Sequence, residues 1–212
     1  MKIDKIIVKT KETTYPIMVG NGAISLLKKE VNKLCPNTKK IAVIFDKNVP
    51  NIFKTKIKKL LKKYKIFIKD YSPSERLKNF SNVNILIEYL IKNKFNRNDL
   101  VIAVGGGIIG DFSGFVASIF KRGINFINVP TTLLAQVDSA IGGKTGVNSK
   151  TGKNLIGSFY QPKLVISDIS FLKSLPKREF ICGFGEILKY SLIKDQKFFN
   201  FIKKNSKQIL KG

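Results

Sequence analysis

The segment covering residues 101–153 constrains the fold of this chain more than any other part of the sequence. It opens with the apolar run VIAV, which leads directly into three consecutive glycines and then into a helical pattern. Two loops rich in Gly, Thr, Asp and Lys follow. A strand, a glycine turn and a helix N-terminus in this order present backbone N–H groups to an anion, and lysines add ammonium groups. We therefore expect this segment to form a binding site for an anionic ligand.

Seven apolar runs of strand length alternate with segments of helical periodicity. The predicted strands are residues 5–10, 15–19, 40–45, 65–69, 100–104, 124–129 and 164–168. The predicted helices cover residues 22–34, 52–61 and 83–91, the last with Ser81 as its N-cap. This alternation predicts an α/β fold with a mostly parallel, Rossmann-like sheet, in which the first two strands form a hairpin or an edge.

The pattern becomes helical after residue 175, where Pro176 can begin a helix. We therefore predict an α/β nucleotide-binding domain over residues 1–175 and the beginning of a helical domain over residues 176–212. Two helices are too few for a separate core. Either they pack on the sheet, or the sequence holds only the first part of a helical domain.

Composition narrows the functional classes. The formal net charge is +25, but only four of the 39 basic residues are Arg, which is the residue that nucleic-acid binders favour. Lys is spread over every segment together with Ile, Asn and Phe, and all four residues have A/T-rich codons. A biased genome therefore explains the charge better than a nucleic-acid partner does. A basic module that binds nucleic acid in a salt-dependent way is the alternative. The chain has no His, which excludes a His base or a His-rich metal site among these residues.

Localisation follows from what the sequence lacks. Cys35 and Cys182 have neither His nor Cys beside them and indicate reduced thiols. We find no signal-peptide pattern and no apolar run of membrane-spanning length. We expect a cytoplasmic protein with no membrane partner.

The glycine turn fits a pyrophosphate site in part. Gly105, Gly107 and Gly110 match G-x-G-x-x-G between a strand and a helix, but on a late strand and without an acid about twenty residues further on. A tight turn that needs positive φ is the alternative. Asp111 either stabilises the helix N-terminus or contacts a ribose or nicotinamide, and Asp46, at the end of its strand, either holds an adenosine ribose or is an ordinary loop acid.

Three further groups of polar residues are candidates. Thr131 and Thr132 can cap the next helix or hold a ligand. The next loop has an upstream acid and two lysines amid glycines, a pattern that suits a substrate with phosphate and hydroxyl groups. Exposed surface lysines alone would give a similar pattern. The candidate binding residues in this loop are Asp138, Lys144, Lys153 and Asn154. Glu186 and Lys189 lie on one face of a predicted helix. They form either an exposed ion pair with each other, or a site in which the Glu186 carboxylate binds a metal or an ammonium.

Together these segments resemble the 3-dehydroquinate synthase family of the shikimate pathway. The resemblance covers nearly the whole chain and rests on GGGIIGD (105–111), KRG (121–123), VPTTLLAQVDSAIGGKTGVN (129–148), GKNLIGSFYQP (152–162), FLKSLP (171–176) and GEILKY (185–190). YPIMVG (15–20) and ERLKN (75–79) match more loosely, and Pro73-Ser74 stand where the family usually has Asp-Gly.

The resemblance implies a role for each matching residue. With Asp46, the implied NAD-binding residues are Glu75, Lys78, Gly107, Ile108, Ile109, Gly110, Asp111, Thr131, Thr132, Lys144, Lys153, Phe171, Leu172, Lys173 and Ser174. The implied substrate and catalytic residues are Asp138, Lys144, Asn154 and Lys189, with Arg122 reaching the substrate phosphate of a neighbouring subunit in a homodimer. Glu186 would be one of three ligands to Zn²⁺ or Co²⁺.

The resemblance also implies a reaction. A lyase of this family converts the sugar phosphate 3-deoxy-D-arabino-heptulosonate 7-phosphate to 3-dehydroquinate and phosphate, with NAD regenerated in each turnover. The family's two other metal ligands are histidines, so this sequence corresponds to the amino-terminal part only and we expect it to be inactive alone. A related sugar-phosphate cyclase or a metal-dependent polyol dehydrogenase on the same scaffold is the alternative.

Overall fold

The main sheet has seven strands among the residues that the structure describes. The computed structural model describes residues 2–11 and 13–211. The strands are β1 (Asp4–Lys9), β2 (Thr14–Gly20), β3 (Lys40–Asp46), β4 (Lys65–Tyr71), β5 (Leu100–Gly105), β6 (Asn125–Pro130) and, after a separate hairpin, β9 (Leu164–Asp168). Their order in the sheet is β1-β2-β9-β6-β5-β3-β4. β1 is antiparallel to β2 at one edge, and all other pairs are parallel, which confirms the predicted α/β fold.

Helices cover both faces of the sheet, as parallel strands require. The helices are α1 (Leu27–Leu34), α2 (Asn51–Leu60), α3 (Phe80–Lys92), α4 (Gly107–Ile119), α5 (Lys177–Lys194) and α6 (Gln196–Lys211). One buried cluster joins α1 and α2 to the sheet through residues such as Leu27 and Ile57. A second cluster joins α3 and α4 to the other face through Leu86, Phe112 and Phe115. The central strands are buried on both sides, which explains their unbroken apolar runs.

Helix α3 begins earlier than its periodicity suggests. The predicted N-cap Ser81 is wrong, because Asn79 has the extended conformation of an N-cap and its side chain accepts the N–H of Asn82. Phe80 precedes the periodic apolar positions and is exposed, so it contributed no signal. Asn and Ser are similar N-caps, and the apolar pattern alone does not choose between them.

A two-stranded hairpin interrupts the region that the sequence predicts as loops only. Strands β7 (Lys144–Val147) and β8 (Ile156–Phe159) pair antiparallel outside the main sheet. The hairpin packs on α4 at Gly114, where an added Cβ would lie 2.5 Å from Cγ2 of Thr145. Short glycine-containing strands give little periodic signal, but the hairpin places Lys144 near the helix that follows the glycine turn.

Helices α5 and α6 form a helical pair after the sheet. Gly183 brings α5 against the chain that follows β6, because a Cβ there would lie 2.5 Å from the backbone nitrogen of Leu134. Leu192, Ile193 and Phe201 are exposed on this pair. The division at residue 175 stays a prediction. Within the described residues no helix combines the length and hydropathy needed to cross a bilayer.

Candidate functional site

The glycine turn joins β5 to α4 at the carboxyl edge of the sheet. Its glycines allow close approach and do not supply positive φ, since none of the four at 105, 106, 107 and 110 has it. A Cβ on Gly105 would lie 2.9 Å from Cβ of Asp46, and one on Gly107 would lie 2.8 Å from Oγ of Ser139. In the first turn of α4, the N–H groups of Ile109 and Gly110 both donate to the carbonyl of Gly106 at 3.1 Å, whereas no described residue accepts from the N–H groups of Gly107 and Ile108. The turn therefore presents two unpaired backbone donors at the edge where α/β sheets bind ligands.

A cleft of about 620 Å³ opens above this turn. We call it the turn cleft. Its lining combines the backbone donors with acids, hydroxyls and one buried lysine. The predicted site residues that line it are Asp46, Glu75, Lys78, Gly107, Ile108, Asp111, Thr131, Thr132, Asp138, Asn154, Phe171 and Ser174.

A second cleft of about 720 Å³ lies between the glycine turn and the β7–β8 hairpin. We call it the hairpin cleft, and Lys144, Thr145, Ser158 and Phe159 are among its lining residues. Four residues line both clefts, and we call them the shared wall: Asp111, Asp138, Ser139 and Asn154. A ligand in one cleft therefore lies next to a ligand in the other, as transfer between a cofactor and a substrate requires.

Lys78 holds one side of the shared wall. Its residue is only 3% exposed, and its Nζ donates to Oδ2 of Asp111 at 2.6 Å and to Oδ1 of Asn154 at 2.5 Å. Burial raises the pKa of the Asp111 carboxyl, and the hydrogen bond and charge of Lys78 offset part of that rise. The ion pair thus favours the charged form of Asp111, which burial disfavours.

Tyr190 of α5 holds the other side. Its hydroxyl donates to Oδ1 of Asp138 at 2.9 Å. That hydrogen bond is the main cause that raises the pKa of Tyr190 to about 12, with burial and the charges of Asp138 and Glu186 adding to it. Helix α5 therefore helps to orient an acid of the wall.

The neighbouring residues of the turn cleft are set by local backbone geometry. Oδ1 of Asp46 accepts the N–H of Asn48 at 2.8 Å, and burial raises the pKa of this carboxyl. Oγ1 of Thr132 accepts the N–H of Ala135, the first residue of the π-helical turn Ala135–Ser139, at 3.2 Å. Thr131 also lines the turn cleft, although it is largely buried. Single π-turns are frequent at functional sites, and this one places both Asp138 and Ser139 on the wall.

Several predicted residues do not line either cleft. Ile109 is fully buried in the core and Gly110 packs against the side chain of Asn128, so both support the turn from behind. Lys153 is exposed and lines neither cleft. Its Nζ lies 4.0 Å from Oε1 of Glu75. Leu172 and Lys173 are also outside the lining, although Phe171 and Ser174 on either side of them are part of it.

Arg122 lies away from the clefts of its own chain. It follows α4, whose 13 residues span roughly 20 Å from the glycine turn at 1.5 Å per residue. Lys121 and Arg122 both have positive φ, an uncommon backbone for these residue types. The geometry agrees with a contact outside this subunit's own site, which stays a prediction.

Glu186 and Lys189 form an ion pair with each other on α5, neither lining either cleft. Over residues 2–11 and 13–211 no group of three or more His, Cys, Asp or Glu side chains could hold a metal. A catalytic zinc site takes about three protein ligands. The described residues therefore do not fit the implied metal by themselves, and Glu186 could supply one ligand at most.

Sequence reasoning missed Ser139, Asn148, Asp168 and Tyr190. Asp168 ends β9 as Asp46 ends β3, so the same signal applied to it. Its carboxylate is buried and accepts the N–H groups of Gly22, Ile24 and Ser170, and these bonds with that of the Ser170 hydroxyl outweigh burial and lower its pKa. The others belong to quoted motifs, but no pattern separates them from their neighbours.

Comparison with known proteins identifies the scaffold. The 3-dehydroquinate synthase N-terminal family model matches residues 69–182. Proteins named 3-dehydroquinate synthase from Pelagibacter ubique and Alkaliphilus metalliredigens are 52% and 46% identical over 99% and 96% of this chain. The chain spans 57% and 56% of their lengths.

Solved structures agree at the level of the fold. A 2-deoxy-scyllo-inosose synthase complexed with carbaglucose-6-phosphate, NAD⁺ and Co²⁺ is 30% identical, with a TM-score of 0.81 over 90% of this chain and 52% of its own. A 2-epi-5-epi-valiolone synthase from Streptomyces hygroscopicus with NAD⁺ and Zn²⁺ is 25% identical, with a TM-score of 0.81 over 97% of this chain and 57% of its own. Because the family model covers more than half of these residues, including the glycine turn and the shared wall, the chain belongs to the 3-dehydroquinate synthase family.

Proposed function

We propose that this chain supplies the nucleotide-binding part of a 3-dehydroquinate synthase. The reaction converts 3-deoxy-D-arabino-heptulosonate 7-phosphate to 3-dehydroquinate and inorganic phosphate. The observation that carries the proposal is the shared wall, which places Asp111 and Asn154 between a cleft over a glycine turn and a cleft that contains a lysine. The named relatives and the family model support the same activity.

The turn cleft is the proposed site of NAD. The backbone N–H groups at the beginning of α4 would bind the diphosphate, because a helix N-terminus favours an anion. Asp46 would accept hydrogen bonds from a ribose, and Thr131 and Thr132 would contact the nucleotide from the end of β6. Synthases of the same fold hold NAD⁺ together with Co²⁺ or Zn²⁺. Bound NAD would accept a hydride and return it, so the net reaction is an elimination and cyclisation.

The hairpin cleft is the proposed site of the sugar phosphate. Lys144 would attract the phosphate with its ammonium, and Asn154 and Asp138 would contact substrate hydroxyl groups from the shared wall. Lys78, fixed between Asp111 and Asn154, would keep both side chains in place when the ligands arrive. Lys189 as a catalytic residue and Lys153 as a cofactor contact are also part of the proposal.

We also propose a divalent metal and a second subunit as parts of the working enzyme. We propose Glu186 as one ligand of a divalent cation, but derive no step through that cation because the described residues offer no complete ligand set. We propose a homodimer in which Arg122 contacts the neighbouring subunit's substrate, and a cytoplasmic location. No nucleic-acid or membrane partner is proposed.

A related sugar-phosphate cyclase is the second candidate. The structural match to a 2-deoxy-scyllo-inosose synthase is close enough to favour it over an unrelated enzyme. A polyol dehydrogenase shares the fold, as a probable glycerol dehydrogenase from Sinorhizobium meliloti with a TM-score of 0.64 and 18% identity shows for the fold alone. A cyclase releases phosphate and keeps its NADH, whereas a dehydrogenase releases NADH, so a phosphate assay and absorbance at about 340 nm separate them.

Calorimetry with NAD⁺ tests the central assignment. We expect the chain to bind NAD⁺ and Asp111→Ala to weaken binding at least about tenfold, since a charge-assisted hydrogen bond is lost. Asp4→Ala is the matched control, because Asp4 is an exposed acid on the edge strand β1. Equal affinity of wild type and Asp111→Ala would reject the placement of the nucleotide.

A further inference from the structure

The loop between β7 and β8 closes on itself at its tip and is held at its neck. At the tip, the N–H of Ser149 donates to the carbonyl of Gly152 at 2.9 Å, and Oγ of Ser149 accepts the N–H groups of Thr151 and Gly152 at 3.1 Å each. These contacts shape the tip but do not attach it to the rest of the molecule. Nζ of Lys153 also lies 4.0 Å from Oε1 of Glu75, but both side chains are exposed and such a pair contributes little. The position of the loop therefore depends chiefly on the two residues at its neck, Asn148 and Asn154.

Asn148 connects this neck to the 3₁₀ turn Glu75–Leu77. Its backbone N–H donates to the carbonyl of Lys78 at 2.8 Å, and its Nδ2 donates to Oε2 of Glu75 at 2.8 Å. Its Oδ1 accepts the backbone N–H of Asn154 at 2.9 Å. One side chain thus joins both ends of the loop to the segment that contains the buried lysine.

Asn154 has a backbone conformation that needs such support. Its φ is +58°, in the left-handed region that Asn enters more easily than most residues but still at a cost. Its Oδ1 accepts from Nζ of Lys78. An ammonium is only a donor, so the carboxamide oxygen must face Lys78 and the NH₂ group must point elsewhere.

That NH₂ group is available to a ligand. No described residue accepts a hydrogen bond from it, and Asn154 lines both clefts. Asn148 lines neither cleft, so any effect it has on a ligand must pass through the residues it contacts, and of these only Asn154 lines the hairpin cleft. The geometry is that of a binding residue with a separate residue that sets its orientation.

We propose that Asn148 is a positioning residue for the sugar-phosphate site, holding Asn154 in its left-handed conformation so that its NH₂ group donates to a substrate oxygen. The inference rests on the proposed function, because it takes the ligand of the hairpin cleft to be the sugar phosphate. The inference adds to the proposed site a residue that contacts no ligand. It also explains why the neck of the loop is hydrogen-bonded to Glu75 and Lys78.

Two successive calorimetric titrations of the full chain test the proposal. NAD⁺ is titrated first, and 3-deoxy-D-arabino-heptulosonate 7-phosphate is then titrated into the NAD⁺-saturated chain. For Asn148→Ala we expect sugar-phosphate affinity to fall about tenfold, the effect of one hydrogen bond of ordinary to strong size, and NAD⁺ affinity to change less than about twofold. Asn205→Ala is the control, because Asn205 makes its side-chain bond to the carbonyl of Phe201 within α6.

A rescue pair separates positioning from general damage. Asn148→Asp keeps an acceptor for the N–H of Asn154 but places a carboxylate against Glu75, so alone it should not restore binding. Adding Glu75→Gln supplies an amide donor to the new carboxylate. The double variant should bind the sugar phosphate within about threefold of Glu75→Gln alone, since the contact is rebuilt with its donor and acceptor exchanged.

The outcomes distinguish the inference from the function on which it rests. If the wild-type chain binds neither ligand, the proposed function and the inference both fail. If wild type binds both ligands and Asn148→Ala matches it, only the inference is overturned. An equal loss of both affinities in Asn148→Ala, no recovery in the double variant, or binding of NAD⁺ without the sugar phosphate in wild type would also overturn it.

Discussion

Removing the ammonium of Lys78 should destabilise the fold because it leaves the Asp111 carboxylate buried without its partner. The Lys78 side chain is 4% exposed and that of Asp111 is 25% exposed. Breaking a buried ion pair by removing one partner costs about 3–5 kcal/mol, and we take about 3 because Asp111 keeps some contact with water. With a urea slope of about 2 kcal/mol/M, Lys78→Met should lower the unfolding midpoint by about 1.5 M at pH 7.

The sign of the pH dependence provides a second check. The folded-state pKa of Asp111 already lies above its usual value because of burial, and Lys78 limits that rise. Without Lys78 the pKa rises further, so the cost of ionising Asp111 should be largest at neutral pH. As the pH falls through the raised pKa, the carboxyl takes up a proton and the variant should approach wild type.

Urea unfolding followed by circular dichroism at pH 7 and pH 5 measures both effects. Asp111→Asn in the Lys78→Met background should recover much of the loss at pH 7, because it removes the unpaired charge. A midpoint within about 0.3 M of wild type at pH 7, or an equal loss at both pH values, would refute the reasoning that Asp111 is a buried charge held by Lys78.

Three other predictions concern the scaffold and the wall. Asp168→Ala should lower the free energy of unfolding by about 3–5 kcal/mol in urea melts, because several buried donors lose their acceptor. Since the folded-state pKa of Asp168 is lowered, the stability that Asp168 adds in wild type should be lost only as the pH falls below about 3.8. A fall in unfolding free energy of less than about 1 kcal/mol in Asp168→Ala would contradict this role. Asp138→Asn should lower the pKa of one tyrosine, Tyr190, from about 12 toward its usual value in an ultraviolet titration, and an unchanged titration curve would show that the hydrogen bond is absent in solution. Gly107→Val should weaken NAD⁺ binding at least about tenfold by crowding Ser139, whereas Gly185→Ala, at a glycine with open space around it, should leave the affinity unchanged.

The main sheet could be predicted from the sequence because its strands are buried on both faces. All seven strands of the main sheet were predicted within about two residues of their observed bounds, and the glycine turn lies where the strand–glycine–helix order places it. The same logic found Asp46, because an acid at the carboxyl end of a parallel strand lies at the binding edge. Asp168 satisfies this rule too but serves the fold, since its oxygens are occupied by backbone donors.

The wall could be predicted only in part, because its geometry depends on contacts between distant segments. Lys78 and Asp111 are separated by 33 positions, and Asp138 and Tyr190 by 52. No local pattern reports such pairings. The hairpin β7–β8 was missed for a related reason: its strands have four residues each, too short for alternation to stand out from the surrounding glycines.

Four glycines around the site have a different role from the one that turn patterns suggest, although Gly20, Gly22, Gly123, Gly142 and Gly143 do have positive φ. At 105, 107, 114 and 183 they remove side chains where two elements meet, and at none of these positions is φ positive. Each contact brings a segment of the site against its neighbour: Gly105 brings β3 to the turn, Gly107 brings the π-turn, Gly114 brings the hairpin and Gly183 brings α5. Three of the four wall residues, Asp111, Asp138 and Ser139, lie on α4 and the π-turn beside these contacts. An added methyl group at Gly183 would press on the backbone of Leu134, and at the other three positions it would press on side chains such as those of Asp46, Ser139 and Thr145. The geometry of the wall therefore depends in part on residues that have no side chain with which to bind a ligand.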